Sequence, residues 1–262
     1  MVRANFIKPG GPEAVMPSRF PRFGKTPVLI AAGALALAAL GTWLGGFSVN
    51  TDRRIGPAVA IPAPAVDEPA AAGAETAIFA GGCFWGIQGV FQHVDGVESA
   101  IAGYAGGTID KPTYAQVGSE TTGHAESVKV TFDPSKVTYG KLLQIFFSVA
   151  HDPTELNQQG PDMGPSYRSA LFTVGEEQAK VASAYIAQLD GTHAFPEKIV
   201  TEVTPYTNFF QAEDYHQDNG TTLKVNAGYV EFFDLPKIAN LKAMFPEVWR
   251  DKPVLVFASN ET

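Results

Sequence analysis

FAGGCFWGIQGVFQHV, Phe79–Val94, holds the only cysteine of the chain, Cys83. Its first residues close a short apolar stretch, Thr76–Ala80, of strand length. Gly81 and Gly82 then permit a tight turn with backbone angles that other residues avoid. From Cys83 to Val94 the apolar residues recur at helical spacing, until Asp95-Gly96 stops them. A strand, a glycine turn and a helix in succession set the expectation of a layered α/β or α+β domain.

A lone thiol makes no intrachain disulfide and no multi-cysteine zinc site. It is either a small buried hydrophobe or a reactive group. A helix starting at Cys83 aims its unpaired N–H groups and its positive dipole end at the sulfur, which favours the thiolate. Phe84 and Trp85 put aromatic walls beside it, suited to a small apolar group and not to a charged one. The glycine pair and the aromatics together favour the reactive reading.

Outward from this stretch, strand-like and helix-like segments alternate. Strands are expected at Val97–Tyr104, Glu126–Phe132, Tyr167–Val174 and Ile199–Val203, and ESVKVTF alternates as a half-buried strand should. Helices are expected at Tyr139–Ala150, Glu176–Leu189, Phe209–Asn219 and Pro236–Phe245. The strand order is not readable. The folded domain is assigned to residues 76–252, with residues 253–262 as a tail.

An apolar fraction of 45% is ordinary for a folded core. A net charge of -8 argues against nucleic acid, which needs a clustered basic face. Val28–Val49, VLIAAGALALAALGTWLGGFSV, carries no charge and is long enough to cross a hydrocarbon core of roughly 30 Å. Residues 1–27 hold Arg3, Lys8, Arg19, Arg22 and Lys25 against Glu13 alone. The positive-inside rule keeps that segment cytoplasmic and exports the rest. Residues 28–49 thus read as a transmembrane signal anchor in a bacterial cytoplasmic membrane, with the domain periplasmic or otherwise extracytoplasmic. The rival is a cleaved signal peptide, with small-residue sites at Ala58–Ala60 or Ala63–Ala65, which would release the domain. Residues 50–75, rich in Ala and Pro, read as a semi-extended linker.

Cysteine chemistry calls for a proton donor or a base. The histidines are His93, His124, His151, His193 and His216, which leaves a Cys–His hydrolase open. Glu126 opens an apolar strand, where burial would raise its pKa and make it an acid. An ordinary exposed strand-end glutamate is the plainer alternative.

Gly82-Cys83-Phe84-Trp85-Gly86 resembles the nucleophile motif of the A-type peptide methionine sulfoxide reductases. The resemblance continues in order through GYAGG (Gly103–Gly107), PTYAQV (Pro112–Val117), TGHAESV (Thr122–Val128), HDPT (His151–Thr154), GPDMGPSYRSA (Gly160–Ala170) and AEDYHQ (Ala212–Gln217). It implies a two-layer α/β sandwich around a mixed sheet. Cys83 is then the nucleophile and Glu126 the acid. Tyr114 and Tyr167 are donors to the sulfoxide oxygen or a water, and Asp162 fixes substrate or water. Gly82, Phe84 and Trp85 belong to the substrate pocket, the two aromatics taking the S-methyl group. The reaction implied is reduction of methionine-S-sulfoxide, in proteins and free, leaving a sulfenic acid on Cys83. No metal or organic cofactor is implied. The reductant would be external, a thioredoxin-like or glutaredoxin-like protein or a small thiol, and the enzyme a monomer. His216 and Asp214 are expected to hold structure. The tail from Asn219 lacks the cysteine-bearing, glycine-rich ending of many relatives, which implies a one-cysteine enzyme. A non-enzymatic exported thiol sensor is the competing function.

Overall fold

The computed structural model describes residues 58–69 and 72–257. In chain order the strands are β1 (Glu75–Ala80), β2 (Val97–Ala105), β3 (Ala125–Phe132), β4 (Gln158–Gln159), β5 (Asp162–Met163), β6 (Ala170–Thr173), β7 (Glu202–Pro205) and β8 (Phe209–Gln211). The helices are α1 (Phe84–Gln92), α2 (Tyr114–Val117), α3 (Tyr139–Ile145), α4 (Glu176–Thr192), α5 (Asn219–Thr222), α6 (Ala227–Tyr229) and α7 (Leu235–Met244). Six strands form one sheet in the order β7-β6-β1-β3-β2-β8, and β4 pairs with β5 in a separate ribbon. Within the large sheet only β6–β7 is parallel, so the sheet is mixed, as expected.

Strand alternation sorts the side chains. Ala77 and Phe79 of β1, and Val128, Val130 and Phe132 of β3, enter the main core. The same core takes Phe84, Ile87, Val90 and Phe91 of α1, Leu142 and Leu143 of α3, Tyr185 and Leu189 of α4, and Leu241 of α7. The longer helices therefore cover one sheet face, giving two layers. The opposite face has a small cluster around Ile78, Ala80 and Phe172. β1 is central, and the turn that leaves it carries Cys83 to the edge of the helical layer.

Three expected elements differ. The strand read at Tyr167–Val174 begins at Ala170, because Pro165 starts a 3-10 turn, Pro165–Tyr167, ahead of it. The strand read at Ile199–Val203 begins at Glu202. The helix read over Phe209–Asn219 is instead the edge strand β8 followed by a 3-10 turn, Asp214–His216. Phe209 and Phe210 pair with Ala105 and Tyr104 of β2, so sheet partners outweigh the local pattern. The Tyr139–Ala150 helix keeps its span but widens into a π-turn from Phe146.

The segment before β1 runs extended along the helical layer. Val59 N–H donates to the Ser148 carbonyl, Gln144 to the Ile61 carbonyl and the Tyr185 hydroxyl to the Pro62 carbonyl. Asp67 accepts from Gly140 N–H at 2.8 Å and from the Thr138 hydroxyl at 2.5 Å, at the start of α3. It is a strap bound to the domain. The tail is tied as well, since Val256 and Phe257 N–H donate to the buried Asp218 carboxylate. Among the described residues no helix is long and apolar enough to cross a membrane. The Val28–Val49 run and the basic segment before it lie outside them.

Candidate active site

Gly82 has φ +90, and a Cβ there would stand 2.5 Å from the Gln159 side chain. Only glycine makes that turn with Gln159 packed against it. Its contribution is therefore the backbone path, and Cys83 becomes the N-cap of α1. Cys83 is 8% exposed.

Glu126 comes from β3, which pairs with β2 and β1 and so lies beside the turn. Its Oε2 accepts the Phe84 N–H at 3.0 Å, so the first turn of α1 holds the carboxyl next to Cys83. The residue is 3% exposed, and burial raises its pKa from 4.5 to about 8, against the Phe84 hydrogen bond. At neutral pH it is a protonated acid. The exposed strand-end alternative does not hold.

Cys83 departs from the expectation that the helix terminus and glycines favour thiolate. Burial pushes the thiol well above its ordinary value, the nearby Glu126, Asp234 and Asp162 push the same way, and the Trp85 N–H opposes them only in part. Desolvation first, then the nearby acids, outweigh the helix end, so the thiol form is favoured over the thiolate.

Tyr114 opens α2, whose Thr113–Gln116 capping box fixes its start. The Tyr114 N–H also donates to Glu213 at 2.8 Å. Burial and the nearby Glu126 and Cys83 push its phenol up to about 12, with a Tyr167 hydroxyl contact lowering it. Tyr167 is pushed further up, by burial first and then by Glu126, Tyr114, Asp162 and Cys83. Both tyrosines are neutral donors. Asp162, on β5, has its pKa raised by burial, while a hydrogen bond from Tyr229 and the charge of Lys237 lower it. The structure thus brings Cys83, Glu126, Tyr114, Tyr167 and Asp162 around one point, from five separate elements of the chain.

Phe84 and Trp85 form the aromatic side. Trp85 donates its indole N–H to His216 Nδ1 at 3.1 Å, and Phe84 meets the same imidazole edge-on at 5.1 Å. His216 is pushed down to about 4 by burial, so it stays a neutral acceptor and not a base. It holds structure, as expected; the carboxylate that works beside it is Glu213 rather than Asp214. Glu213 accepts from Tyr104 as well as Tyr114. Gln217 and Asp218, both fully buried, tie this segment to α1 through Gln88 and Gln92. A cavity of about 580 Å³ lies between Lys111–Thr113 and Phe209–Asp214, and Cys83 does not line it.

Three site residues escaped the sequence reading: Tyr229, Asp234 and Lys237. All come from the segment read as a helix and tail. Asp234 is fully buried with neither oxygen hydrogen-bonded among the described residues, and Lys237 stands 3.6 Å away. Burial raises Asp234 to about 6, with the Lys237 charge opposing. The only sequence signal was an acid and a lysine at i,i+3, which usually marks a solvated helix face.

A buried thiol beside a buried carboxyl group and two phenols, on a two-layer, mixed-sheet domain, fits an oxidoreductase that works through a thiol. Residues 75–247 match the family model described as peptide methionine sulfoxide reductase. The chain is 55% identical over 195 residues to a peptide methionine sulfoxide reductase MsrA 2 of Mesorhizobium japonicum, covering 74% of this chain and all of that one. It is 47% identical over 191 residues to an MsrA 2 of Synechocystis, covering 71% and 89%. The crystal structure of reduced Mxr1 from Saccharomyces cerevisiae superposes with a TM-score of 0.51 at 31% identity, over 59% of this chain and 88% of that one. The chain belongs to the A-type peptide methionine sulfoxide reductases, enzymes that reduce peptide methionine (S)-S-oxide.

Proposed function

We propose that Cys83 takes the oxygen of methionine-S-sulfoxide, with Glu126 as the acid and an external thiol as the reductant. The observation that carries this is the protonated Glu126 carboxyl, fixed on the Phe84 N–H beside the Cys83 thiol. Sulfoxide oxygen leaves sulfur only once protonated, and Glu126 holds that proton at neutral pH. The Tyr114 and Tyr167 hydroxyls donate to the oxygen as its charge grows. The sulfur of Cys83 bonds to the sulfoxide sulfur, and the protonated oxygen then shifts to the Cys83 sulfur as the methionine S–O bond and the new S–S bond both break, leaving a sulfenic acid on Cys83. Methionine leaves with its lone pair restored. The thiol's proton returns to Glu126, so the net change is transfer of one oxygen atom from methionine sulfoxide to cysteine.

Phe84 and Trp85 receive the S-methyl group, with Trp85 held by His216. A thiol sensor needs no acid such as Glu126 to protonate a sulfoxide oxygen and no aromatic methyl pocket such as Phe84 and Trp85. This favours the enzyme over the exported thiol sensor. With no second cysteine in the chain, resolution is by an external thiol. It forms a mixed disulfide at Cys83 and releases water, and a second thiol equivalent frees Cys83 as the pair becomes a disulfide. Thioredoxin-like, glutaredoxin-like and small thiols all supply this chemistry.

The full chain, given one equivalent of sulfoxide without reductant, should yield one methionine and a single dimedone adduct at Cys83. Adding a monothiol instead of dimedone should give a mixed disulfide there. A Cys83–Cys83 dimer as the main product would mean resolution between subunits and would overturn this scheme.

The basic residues 1–27 and the uncharged Val28–Val49 support export of the domain behind a membrane anchor or a cleaved signal. An alkaline phosphatase reporter fused after Glu75 should then be active in a bacterial host; an inactive one rules export out.

A further inference from the structure

Val230–Asp234 is a π-turn, wider than an α-helical turn. Its ends, Val230 and Asp234, are fully buried, while Phe232 between them is 43% exposed and Phe233 is half-buried. The Phe232 and Phe233 rings pack edge to face, with centroids 4.7 Å apart and planes at 74°. Phe233 packs on Tyr229 at 4.8 Å, and Tyr229 meets Trp85 edge-on at 5.9 Å. A row of rings thus runs from Trp85, next in the chain to Phe84 and Cys83, out to an open phenylalanine face. Neither Phe232 nor Phe233 belongs to the hydrophobic core among the described residues. The chain leading up to Tyr229 adds exposed Val225, Ala227 and Gly228. Apolar surface left open next to a reactive site marks a place where something binds.

We propose that Phe232 and Phe233 form a subsite for an apolar or aromatic side chain of the substrate peptide, close in sequence to its methionine sulfoxide. The occupant follows from continuity with the active site. A peptide whose sulfoxide lies against Trp85 must run out of the pocket, and one of its arms meets the row of rings. An extended chain covers about 3.3–3.6 Å per residue, so Phe233 and Phe232 lie within roughly four residues of the sulfoxide. The rings carry no charge, so they select by burial of apolar surface and by ring contact, not by ion pairing. The inference rests on the sulfoxide-reducing function proposed above and narrows the peptides it favours.

The test uses the full chain, a saturating small dithiol, and short blocked peptides of glycine and serine around one methionine-S-sulfoxide. A single Phe is moved through the positions on either side. At one or two positions Phe should lower KM about twofold to tenfold relative to Ser, the range for one aromatic contact, with kcat nearly unchanged. Phe232→Ser should remove that preference, and Phe232→Leu, which keeps an apolar face, should restore part of it. The loss should fall on the Phe-bearing peptides and not on N-acetyl-methionine-S-sulfoxide, which has no neighbouring residues. No preference at any position overturns the proposal, as does a preference that survives Phe232→Ser. An equal loss on N-acetyl-methionine-S-sulfoxide assigns Phe232 to the fold and overturns it too. So does a raised KM for a bacterial thioredoxin with the peptide preference intact, which would make the reductant the occupant. If the unsubstituted chain leaves N-acetyl-methionine-S-sulfoxide untouched, the underlying function fails instead, and that is read before any variant.

Discussion

Glu126→Gln should make the protein more stable while removing its activity. Glutamine keeps the oxygen that accepts the Phe84 N–H and has the shape of the protonated carboxyl group, but it carries no transferable proton. In the unfolded chain Glu126 ionises near 4.5, and in the fold near 8. Between those values the folded state binds the proton and the unfolded state does not, so stability falls as pH rises through this window. The contribution is fully present below 4.5 and lost by about 8. One pKa unit is worth about 1.4 kcal/mol, so keeping Glu126 costs on the order of 5 kcal/mol above pH 8 and about 3 kcal/mol at pH 7. Glutamine escapes that cost. Urea denaturation of both proteins at pH 5, 7 and 9 should show a gain for Glu126→Gln that is small at pH 5 and largest at pH 9. Acid-quenched single turnovers should show a reductive step slower on the order of 10²-fold or more. A gain that does not grow with pH, or a loss at pH 9, would refute the claim that Glu126 is buried and protonated.

Gly220→Ala places a Cβ 2.1 Å from the Trp85 carbonyl oxygen, a backbone atom that cannot swing aside. It should cost about 3 kcal/mol or more in urea denaturation and raise KM by shifting Trp85. His216→Ala leaves the buried Trp85 indole without its acceptor, at about 1–3 kcal/mol. Because His216 is held neutral down to about 4 against an ordinary 6.5, the parent protein loses stability as pH falls through that window. The variant should lack that acid-side slope, seen by comparing urea midpoints at pH 4.5 and 7. Asp67→Ala releases the strap from the start of α3, costing about 1–2 kcal/mol. Limited proteolysis should then cut within residues 58–69 while α3 and β1 stay protected.

The opening stretch was legible because its glycines, cysteine and aromatics are each bound to local geometry. Gly82 takes a backbone angle only glycine favours, and Cys83 caps the helix it was read to start. Val128, Val130 and Phe132 alternate because one face of β3 is buried. What escaped depends on distant partners. Phe209 and Phe210 form a strand because β2 offers an edge, which no local pattern records. The helix end at Cys83 is local and legible, but the burial that outweighs it, and the acids Asp162 and Asp234 that add to it, come from distant parts of the chain. Tyr229 and Asp234 lie outside the quoted motifs and far in sequence from Trp85 and Gly86, and only folding sets them side by side.

The central claim is that the sulfoxide oxygen passes to Cys83. A single turnover with methionine-S-sulfoxide carrying heavy oxygen, without reductant, tests it by mass spectrometry of the Cys83 peptide. The account predicts a sulfenic acid at Cys83 bearing the heavy oxygen, one equivalent of methionine, and no such product from the R epimer. Heavy oxygen appearing only in water, with Cys83 unmodified, would contradict it.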